Sequence, residues 1–429
     1  MLNLISFAGV FFMMGVGWLL SSSRKCLNWR LIVWGLVFQA AFAAFIFYVP
    51  FGVVVFNFVN AMVVKVLGAA FAGIAFLFGP LASSSGEGSV GFVLAFQVLP
   101  AIVFFSALMS VLYYLGIMQI LIRGFSFLFT KVLNISGAES LCAASNIFVG
   151  VESALTIKPH LAKMTKSEFC TVLTVGMATV ASTVLAAYIG ALNETFPAIA
   201  GHLVSASFLS APAALIMSKL VMPETEKPET LGVVVKPHYE KDGSFFEAVI
   251  NGANSGVRLV VGVGALLLAV LGLMALVNMV LNGVGWRLNG LMGASIDWSL
   301  EGLLGYFFYP FTLMMGVEPG EAMAVSKLIG IRSIATEIPA YYGLSQMISD
   351  GLVTGRSAVI ATYALCGFAH ISSMAIFVGG VCAIVPERTA DITRAGFRAL
   401  IAATLACLMT ACIAGAFYTT RVESLLLGN

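Results

Sequence analysis

Charged residues are scarce in this chain of 429 residues. Asp, Glu, Lys and Arg together make up 10% of it, whereas a typical soluble domain contains about 25%. The formal net charge is +2, and the basic residues are scattered between apolar blocks instead of forming one patch. Nucleic-acid-binding domains usually carry a concentrated basic surface. We therefore expect no nucleic acid among the partners of this protein.

Sequence patterns of metal centres and hydrolytic sites are also lacking. The chain has seven Cys and four His, but it contains no Cys-x-x-Cys pair and no His-Glu-x-x-His motif, so neither a zinc site nor a disulfide framework is indicated. We predict that the protein is not an enzyme. The first twenty residues lack a basic segment and a small-residue cleavage site, and this absence predicts a membrane span in place of a cleaved signal peptide.

Apolar residues are abundant, at 60% of the chain, and the mean hydropathy is +1.01. The sequence therefore predicts an all-α polytopic membrane protein. A transmembrane helix needs about 20 apolar residues, and eight segments meet this requirement: 2–20, 31–49, 92–120, 168–192, 202–220, 258–282, 357–380 and 397–418. Segment 51–81 is apolar but rich in Gly, and it is either an interfacial helix or a ninth crossing. The interfacial position is the favoured one.

Two further segments, 139–165 and 319–346, are too long and too interrupted for one regular span. Each carries, within a short apolar stretch broken by Gly or Pro, a Glu residue that needs an explanation: Glu152 in the first and Glu337 in the second. A charge at the bilayer centre costs roughly 2.5 to 3.5 kcal/mol, so an acidic residue at this depth indicates a functional site. Interrupted segments at corresponding places in two halves of a chain are typical of transporter binding sites. We predict that both segments are re-entrant helical hairpins.

The two halves of the chain share one order of elements. In each half the hairpin is followed by a span that small and polar residues interrupt, at 176–182 and at 366–373. This order predicts an inverted repeat. The predicted organisation is an N-terminal scaffold of spans and an interfacial helix (1–90), a first repeat (91–221), a cytoplasmic linker (222–244) and a second repeat (245–429).

Basic residues in the loops predict the orientation of the chain. With eight spans and two hairpins they all fall on one side, which we expect to be the cytoplasm, and both termini then lie outside. These residues are Arg24, Lys25, Arg30, Arg123, Lys131, Lys163, Lys166, Arg388, Arg394 and Arg398. The linker lies on the same side, and its mixed charges predict a solvated loop.

Several motifs then carry a resemblance to a known family. The sequence Asn-Ile-Phe-Val-Gly at 146–150 is followed by Glu152, and Gly-Met-Ala-Thr-Val-Ala occupies 176–181. In the second half, Ala-Leu-Cys-Gly-Phe-Ala occupies 364–369, after the segment from Gly330 to Tyr341. Together these motifs resemble the concentrative nucleoside transporters. The resemblance implies a homotrimer in the inner membrane of a bacterium, with a central scaffold and a mobile transport unit that imports nucleosides in an elevator-type motion. It also implies coupling to Na+, with H+ as the alternative.

The resemblance also implies roles for individual residues. It assigns the cation to Asn146, Thr179 and the backbone carbonyls of Val149 and Val180. It assigns the nucleobase to Gly150, Val151, Glu152 and Val184, and the ribose to Glu337, Phe368, His370 and Ser373. A carboxylate such as Glu337 can accept hydrogen bonds from both vicinal hydroxyls of a ribose.

Three positions depart from the family pattern. Val151 replaces a Gln, Thr336 replaces the Asn before Glu337, and His370 replaces an Asn. Changes at hydrogen-bonding positions can alter the preferred substrate by orders of magnitude. The alternatives are therefore a cation-coupled transporter of another small polar solute, or a passive channel or receptor of the same fold.

Two basic residues and one His need their own interpretation. Lys158 and Arg332 are expected to cap C-terminal helix ends or to extend towards the membrane surface. For His370 three roles stay open: a neutral hydrogen-bonding group towards a substrate hydroxyl, a buried structural residue, or a group that couples transport to protons.

Overall fold

The computed structural model describes residues 1–84, 88–239, 241–293 and 295–419, without the side chains of Val151 and Glu152. Within these residues all regular elements are helices, apart from a single bridge between Ser136 and Leu231. Eight helices are long and apolar enough to cross a membrane. The predicted all-α polytopic fold is therefore confirmed.

The N-terminal part contains six helices: α1 (Leu2–Leu19), α2 (Trp29–Tyr48), α3 (Pro50–Phe78), α4 (Leu94–Gln97), α5 (Leu99–Tyr114) and α6 (Ile117–Leu133). A 3-10 turn, Gly79–Ala82, follows α3. The predicted span 92–120 ends early because Gly116 adopts a φ of +80°, a left-handed conformation that ends a helix and favours glycine. Helix α3 is continuous and is one of the eight long apolar helices. Whether it crosses the membrane or lies in the interface stays a prediction.

Five helices follow up to the linker: α7 (Gly137–Asn146), α8 (Lys158–Leu161), α9 (Lys166–Ala178), α10 (Ser182–Leu192) and α11 (Ile199–Val221). Together with α4, α5 and α6 they occupy the predicted first repeat, whose boundaries stay a prediction. Helix α7, the 3-10 turn Val151–Ile157 and α8 form a hairpin, which is called hairpin 1 below. Thr165 begins α9 with a capping box, because its side chain accepts from the Glu168 amide and Glu168 accepts from the Thr165 amide. This arrangement satisfies two backbone donors at the helix start.

The second repeat contains seven helices: α12 (Phe245–Met292), α13 (Leu300–Met314), α14 (Ala322–Ile334), α15 (Glu337–Ser349), α16 (Gly355–Leu365), α17 (Ile371–Ile384) and α18 (Thr389–Ala416). A 3-10 turn, Pro386–Arg388, precedes α18. Helices α14 and α15 form hairpin 2. The broken pair α16 and α17 repeats the broken pair α9 and α10. The order hairpin, broken helix and continuous helix therefore occurs twice in the chain.

Helix α12 is much longer than the predicted span 258–282. Its 48 residues extend about 72 Å at 1.5 Å per residue, more than twice the ~30 Å thickness of the hydrocarbon core. It packs along α5 at Gly252, where a Cβ atom would lie 2.7 Å from the Ala107 Cα. A helix of this length must tilt strongly or continue beyond the bilayer.

Helix α1 packs along α18 and is tied to the second repeat by Arg356. The guanidinium of Arg356 donates to Ser6 Oγ on α1 at 2.9 Å, to the Gly415 carbonyl on α18 at 2.9 Å and to the Gly316 carbonyl after α13 at 2.8 Å. Because this side chain is buried, its hydrogen bonds fix α1 to α13 and α18. The grouping of residues 1–90 as one scaffold stays a prediction.

The linker 222–244 is attached to hairpin 1, although its composition predicted a solvated loop. The Gly137 amide donates to the Thr230 carbonyl at 2.8 Å, and the His238 amide donates to the Thr156 carbonyl at 2.8 Å. The Ala138 amide donates to Thr230 Oγ1 at 3.2 Å. The first amides of a helix have no intrahelical acceptor, so the start of α7 takes its acceptors from the linker.

A buried ion cluster joins hairpin 1, α11 and the start of the linker. Lys219 Nζ on α11 lies 2.6 Å from a Glu139 oxygen and 3.2 Å from a Glu224 oxygen, and it donates to Ser167 Oγ at 2.8 Å. The side chains of Lys219 and Glu139 are 8% and 1% exposed. Removal of one partner from such a cluster leaves the other charges buried and unpaired.

We expect Lys219→Met to lower the free energy of unfolding by about 3–5 kcal/mol, because it leaves the buried Glu139 carboxylate without its partner. The matched control is Lys163→Met, which removes an exposed pair with Glu229 and should cost less than about 1 kcal/mol. Thermal unfolding of both variants in detergent measures the difference. Equal shifts in the two variants would contradict a stabilising role of the buried cluster.

Candidate functional site

The carboxylate of Glu337 lies where the two halves of the chain meet. Glu337 begins α15 of hairpin 2 and is 2% exposed. Tyr188 on α10 donates its hydroxyl to Glu337 Oε1 at 2.5 Å. His370, in the break between α16 and α17, has its Nε2 atom 3.3 Å from Glu337 Oε2. Residues from both broken helices therefore flank one buried carboxylate.

The hydrogen bonds of His370 determine its tautomer. The Ser373 amide donates to His370 Nδ1 at 3.2 Å, so Nδ1 is the unprotonated nitrogen. In the neutral ring the proton is then on Nε2, the atom that faces Glu337. Ser373 Oγ donates to the His370 carbonyl at 2.7 Å and also to the Phe368 carbonyl. The His370 amide donates in turn to Ser373 Oγ at 3.2 Å, and the resulting capping box holds the imidazole ring with Nε2 towards Glu337.

Two tyrosine side chains lie close to this carboxylate, Tyr188 on α10 and Tyr341 on α15 of hairpin 2. The rings of Tyr188 and Tyr341 are 4.8 Å apart at their centroids, and Tyr341 donates to the Thr362 carbonyl at 3.0 Å. The sequence analysis missed Tyr188. A usable signal was its spacing, because it follows Val184 by four residues and so lies on the same face of α10.

Oxygen atoms converge at the end of α7. The terminal amide of Asn146 has one atom 3.1 Å from the Val149 carbonyl oxygen and 3.2 Å from the Gly150 carbonyl oxygen, and its other atom is 2.6 Å from Ser153 Oγ. One orientation of the amide donates hydrogen bonds to both carbonyls. The opposite orientation places a third oxygen beside them. Closely spaced oxygens of this kind suit a hard cation such as Na+.

The break after α9 supplies the other predicted cation ligands. Thr179 Oγ1 donates its proton to the Val175 carbonyl at 3.0 Å, so its lone pairs remain available for a cation. Among the described residues no backbone hydrogen bond reaches the Val180 carbonyl. Helices α7 and α9 pack together, and the C-terminal ends of helices favour positive charge. These residues therefore fit the donor set that Na+ requires.

A cavity of about 390 Å³ reaches this region from the linker. It is lined by Val149 of hairpin 1, Thr183 of α10, Tyr113 of α5, and His238 and Tyr239 of the linker. Its volume is within the usual range of small-molecule pockets. The cavity does not include Glu337 or His370, which are both 2% exposed. The cavity therefore lies next to predicted site residues of the first half, whereas Glu337 and His370 of the second half have no access to it.

The predicted site residues form two groups. Glu337, His370, Ser373 and Phe368 lie together in the second half, where the rings of Phe368 and His370 are 6.3 Å apart at their centroids. The other predicted residues lie at two helix ends, Asn146, Val149 and Gly150 at the end of α7 and Thr179 and Val180 after α9. Val184 is 2% exposed and lies one turn before Tyr188. The side chains of Val151 and Glu152 lie outside the described part of the structure, so their predicted roles stay predictions.

Lys158 and Arg332 have different surroundings. Lys158 begins α8, where it lines the cavity described above. Arg332 is fully buried, and it donates to the Ala364 carbonyl in the last turn of α16 at 2.9 Å. Arg332 thus caps a C-terminal helix end, one of the two roles expected for it, and does not extend towards a membrane surface.

Three family profiles match the chain. The profile described as "Na+ dependent nucleoside transporter N-terminus" matches residues 8–81, the profile described as "Nucleoside recognition" matches residues 95–195, and the profile described as "Na+ dependent nucleoside transporter C-terminus" matches residues 202–415.

Individual proteins are similar over almost the whole chain. Solute carrier family 28 member 3 of Mus musculus is 39% identical over 98% of this chain, and the chain spans 60% of that protein's length. Nucleoside permease NupC of Helicobacter pylori is 37% identical, with 97% of this chain and 98% of the permease covered. A solved structure of CNTnw in an inward-facing substrate-bound state has a TM-score of 0.88 and 36% identity, covering 97% of this chain and 98% of that one.

These matches agree with the helical fold described above. The chain thus belongs to the Na+-dependent nucleoside transporter family, the concentrative nucleoside transporters, whose members are transporters and not enzymes.

Proposed function

We propose that this protein imports nucleosides across a bacterial inner membrane by symport with Na+, through an elevator-type movement of the two hairpins and broken helices. The observation that supports this proposal best is the buried Glu337 carboxylate between Tyr188 and His370. Such a carboxylate can accept hydrogen bonds from two vicinal hydroxyls, which a ribose supplies and most other small solutes lack. Both termini would lie outside, and three copies would form the transporter.

Substrate recognition follows from an exchange of hydrogen bonds at Glu337. When a ribose enters, one hydroxyl replaces the Tyr188 hydroxyl as the donor to Glu337 Oε1, and a second hydroxyl donates to Glu337 Oε2, which has no hydrogen-bond partner among the described residues. The carboxylate then keeps at least as many hydrogen bonds as before. A solute without hydroxyls in this position would displace the Tyr188 hydroxyl without replacing it, and an unpaired buried polar group costs about 1–3 kcal/mol. Discrimination against such a solute is therefore expected to be strong.

His370 acts in this proposal as a neutral donor in place of the Asn that is usual in the family. Its Nδ1 accepts from the Ser373 amide, and a second proton on the ring would break that hydrogen bond. Protonation during transport would therefore disrupt the start of α17. For this reason we assign the coupling to Na+ and not to a proton on His370.

The cation has its own group of ligands at the ends of α7 and α9. In the proposal Asn146, Thr179 and the carbonyls of Val149 and Val180 hold Na+, and the ion supplies the positive charge that these helix ends favour. The adjoining cavity gives this group a path to the linker side, which is the predicted cytoplasmic side. Release of substrate and Na+ to the cytoplasm would follow this path.

We expect Glu337→Gln to abolish Na+-driven uptake of uridine and adenosine into proteoliposomes, because an amide cannot accept from two hydroxyls with both of its polar atoms. The matched control is Asp350→Asn, which neutralises an exposed carboxylate at the end of the same hairpin and should leave uptake unchanged. If Glu337→Gln still accumulates nucleosides, the carboxylate does not bind the ribose. Accumulation of a different polar solute by the unaltered protein would support the alternative substrate class, and equilibration without accumulation would indicate a channel.

We expect His370→Asn to keep Na+-driven uptake within about threefold of the unaltered protein, because an amide N–H replaces the Nε2–H donor. Uptake under a pH gradient alone, lost in His370→Asn, would contradict this assignment and would favour proton coupling.

We expect Thr179→Val to raise the Na+ concentration for half-maximal uptake at least about tenfold, equivalent to roughly 1.4 kcal/mol, because a cation ligand is lost while the volume of the side chain is kept. Nucleoside preference should not change. Thr171→Val on the same helix, which removes a hydroxyl that contacts Ser218, is the control and should leave the Na+ dependence unaltered. Equal Na+ dependence in the two variants would place the cation elsewhere.

A further inference from the structure

Arg332 is a buried cation that has no carboxylate partner among the described residues. It is 0% exposed and lies in the last turn of α14, near the tip of hairpin 2. Its Nη1 donates to the Ala364 carbonyl at 2.9 Å, but its Nε and Nη2 atoms have no hydrogen-bond partner among the described residues. No ion pair of Arg332 occurs within that part of the chain either. A guanidinium buried in this way needs another source of negative charge, because an unpaired buried charge is strongly unfavourable.

The ends of two helices meet at this guanidinium, and the end of a third, α9, is linked to it through Cys407. Arg332 lies at the C-terminal end of its own helix, and it caps the C-terminal end of α16 through Ala364. The thiol of Cys407 lies beside it and donates to the Cys366 carbonyl at 3.3 Å and to the Ala178 carbonyl, at the end of α9, at 3.7 Å. The C-terminal end of each helix carries a partial negative charge of roughly half an electron.

The two breaks are in direct contact at this point. Gly367 follows the end of α16 with a φ of +145°, and a Cβ atom there would lie 2.8 Å from the Ala178 carbonyl oxygen. Only glycine fits readily, because the position requires both this conformation and this close approach. The negative ends of α9 and α16 are thereby brought together, and a positive charge between them relieves their repulsion.

A comparison of hairpin 1 with hairpin 2 suggests that Arg332 takes the place of a bound cation. In the first half, Asn146 ends the first arm of hairpin 1 beside the break after α9, and this is the group to which we assigned Na+. In the second half, Arg332 occupies the end of the first arm of hairpin 2 beside the break after α16. We propose that Arg332 is a fixed cation at the position in the second half that corresponds to the sodium site of the first half. The second half then needs no ion of its own. The charge of the guanidinium also sets the affinity of the first-half site for Na+.

This inference rests on the proposed sodium site in one respect only, the effect of Arg332 on its affinity. Arg332 does not touch substrate in this scheme. It is a positioning residue, and its positive charge stabilises the contact between the break after α9 and the break after α16. Because like charges repel across a low-dielectric interior, its removal should strengthen Na+ binding in the first half. It should also leave the negative helix ends without a cation, so that a second Na+ binds between them.

The test compares Arg332→Met and Arg332→Gln, which remove the charge, with Arg332→Lys, which keeps it. Thermal unfolding of the purified full-length proteins is followed while Na+ replaces choline at constant ionic strength, and bound Na+ is counted with the radioactive ion. We expect the unaltered protein and Arg332→Lys to show one saturable Na+ phase. The neutral variants should be less stable in choline, should bind Na+ at least about threefold more tightly, and should show a second saturable phase.

A neutral variant that is destabilised equally in Na+ and in choline, with unchanged Na+ binding, would overturn the proposal, because Arg332 would then contribute packing alone. If neither neutral variant assembles in any salt, the Arg332→Lys variant distinguishes a role of the charge from a role of the side-chain shape. Assembly with an unchanged Na+ affinity supports the role of charge, and failure of the Lys variant to assemble contradicts it, since the shape of the guanidinium would then matter more than its charge.

Thr179→Val separates this proposal from the location of the sodium site. If Thr179→Val leaves Na+ binding unchanged while the neutral Arg332 variants gain the second phase, the assignment of the first site is wrong and the role of Arg332 stands. If Thr179→Val weakens the single phase and the double variant with Arg332→Met still gains the second phase, both assignments hold. If the double variant gains no second phase, Arg332 does not occupy a cation position.

Discussion

Interrupted helices in an apolar medium expose backbone carbonyls, and each of these must find a donor or a cation. The structure meets this constraint differently in its two halves. At the end of α16 the carbonyls of Thr362, Ala364 and Cys366 accept from Tyr341, Arg332 and Cys407, three side chains of hairpin 2 and α18. At the end of α7 the Asn146 amide can donate to the Val149 carbonyl, whereas no backbone hydrogen bond reaches the Val180 carbonyl at the end of α9 within the described part of the chain. The second half thus satisfies its carbonyls with side chains from other elements, and in the proposed sodium site a cation would take this role in the first half.

The sequence predicted the parts of the site that depend on local composition. Glu337 and His370 were predictable because a titratable residue in an apolar segment indicates function, and both breaks were predictable from their small and polar residues. The length of α12 was not, since apolar runs do not reveal where a helix begins or ends. Tyr188 was not predicted either. A tyrosine within an apolar helix resembles an ordinary core residue, and its spacing from Val184 gives only its helix face, whereas the contact with Glu337 depends on the tertiary structure.

Attachment of the linker was unpredictable for a related reason. A stretch of mixed charge usually remains solvated, but here the first amides of α7 bond to Thr230 and the 3-10 turn of hairpin 1 bonds to His238. The buried cluster of Lys219, Glu139 and Glu224 adds a second connection between the same elements. Hairpin 1, α11 and the linker therefore form one unit. In an elevator-type movement these three segments would travel together, and the linker would bend where it meets α12.

The contact between Tyr188 and Glu337 explains how one ion could control a carboxylate in the other half of the chain. Tyr188 is on α10, which begins directly after the break that carries Thr179 and Val180. A cation that orders this break would fix the direction of α10, and with it the hydroxyl that reaches Glu337. Without the cation the break could relax and the tyrosine would lose its alignment, which weakens the ribose site. The coupling between Na+ and nucleoside would then need no direct contact between ion and substrate, because the rigid turns of α10 from Ser182 to Tyr188 connect the two sites.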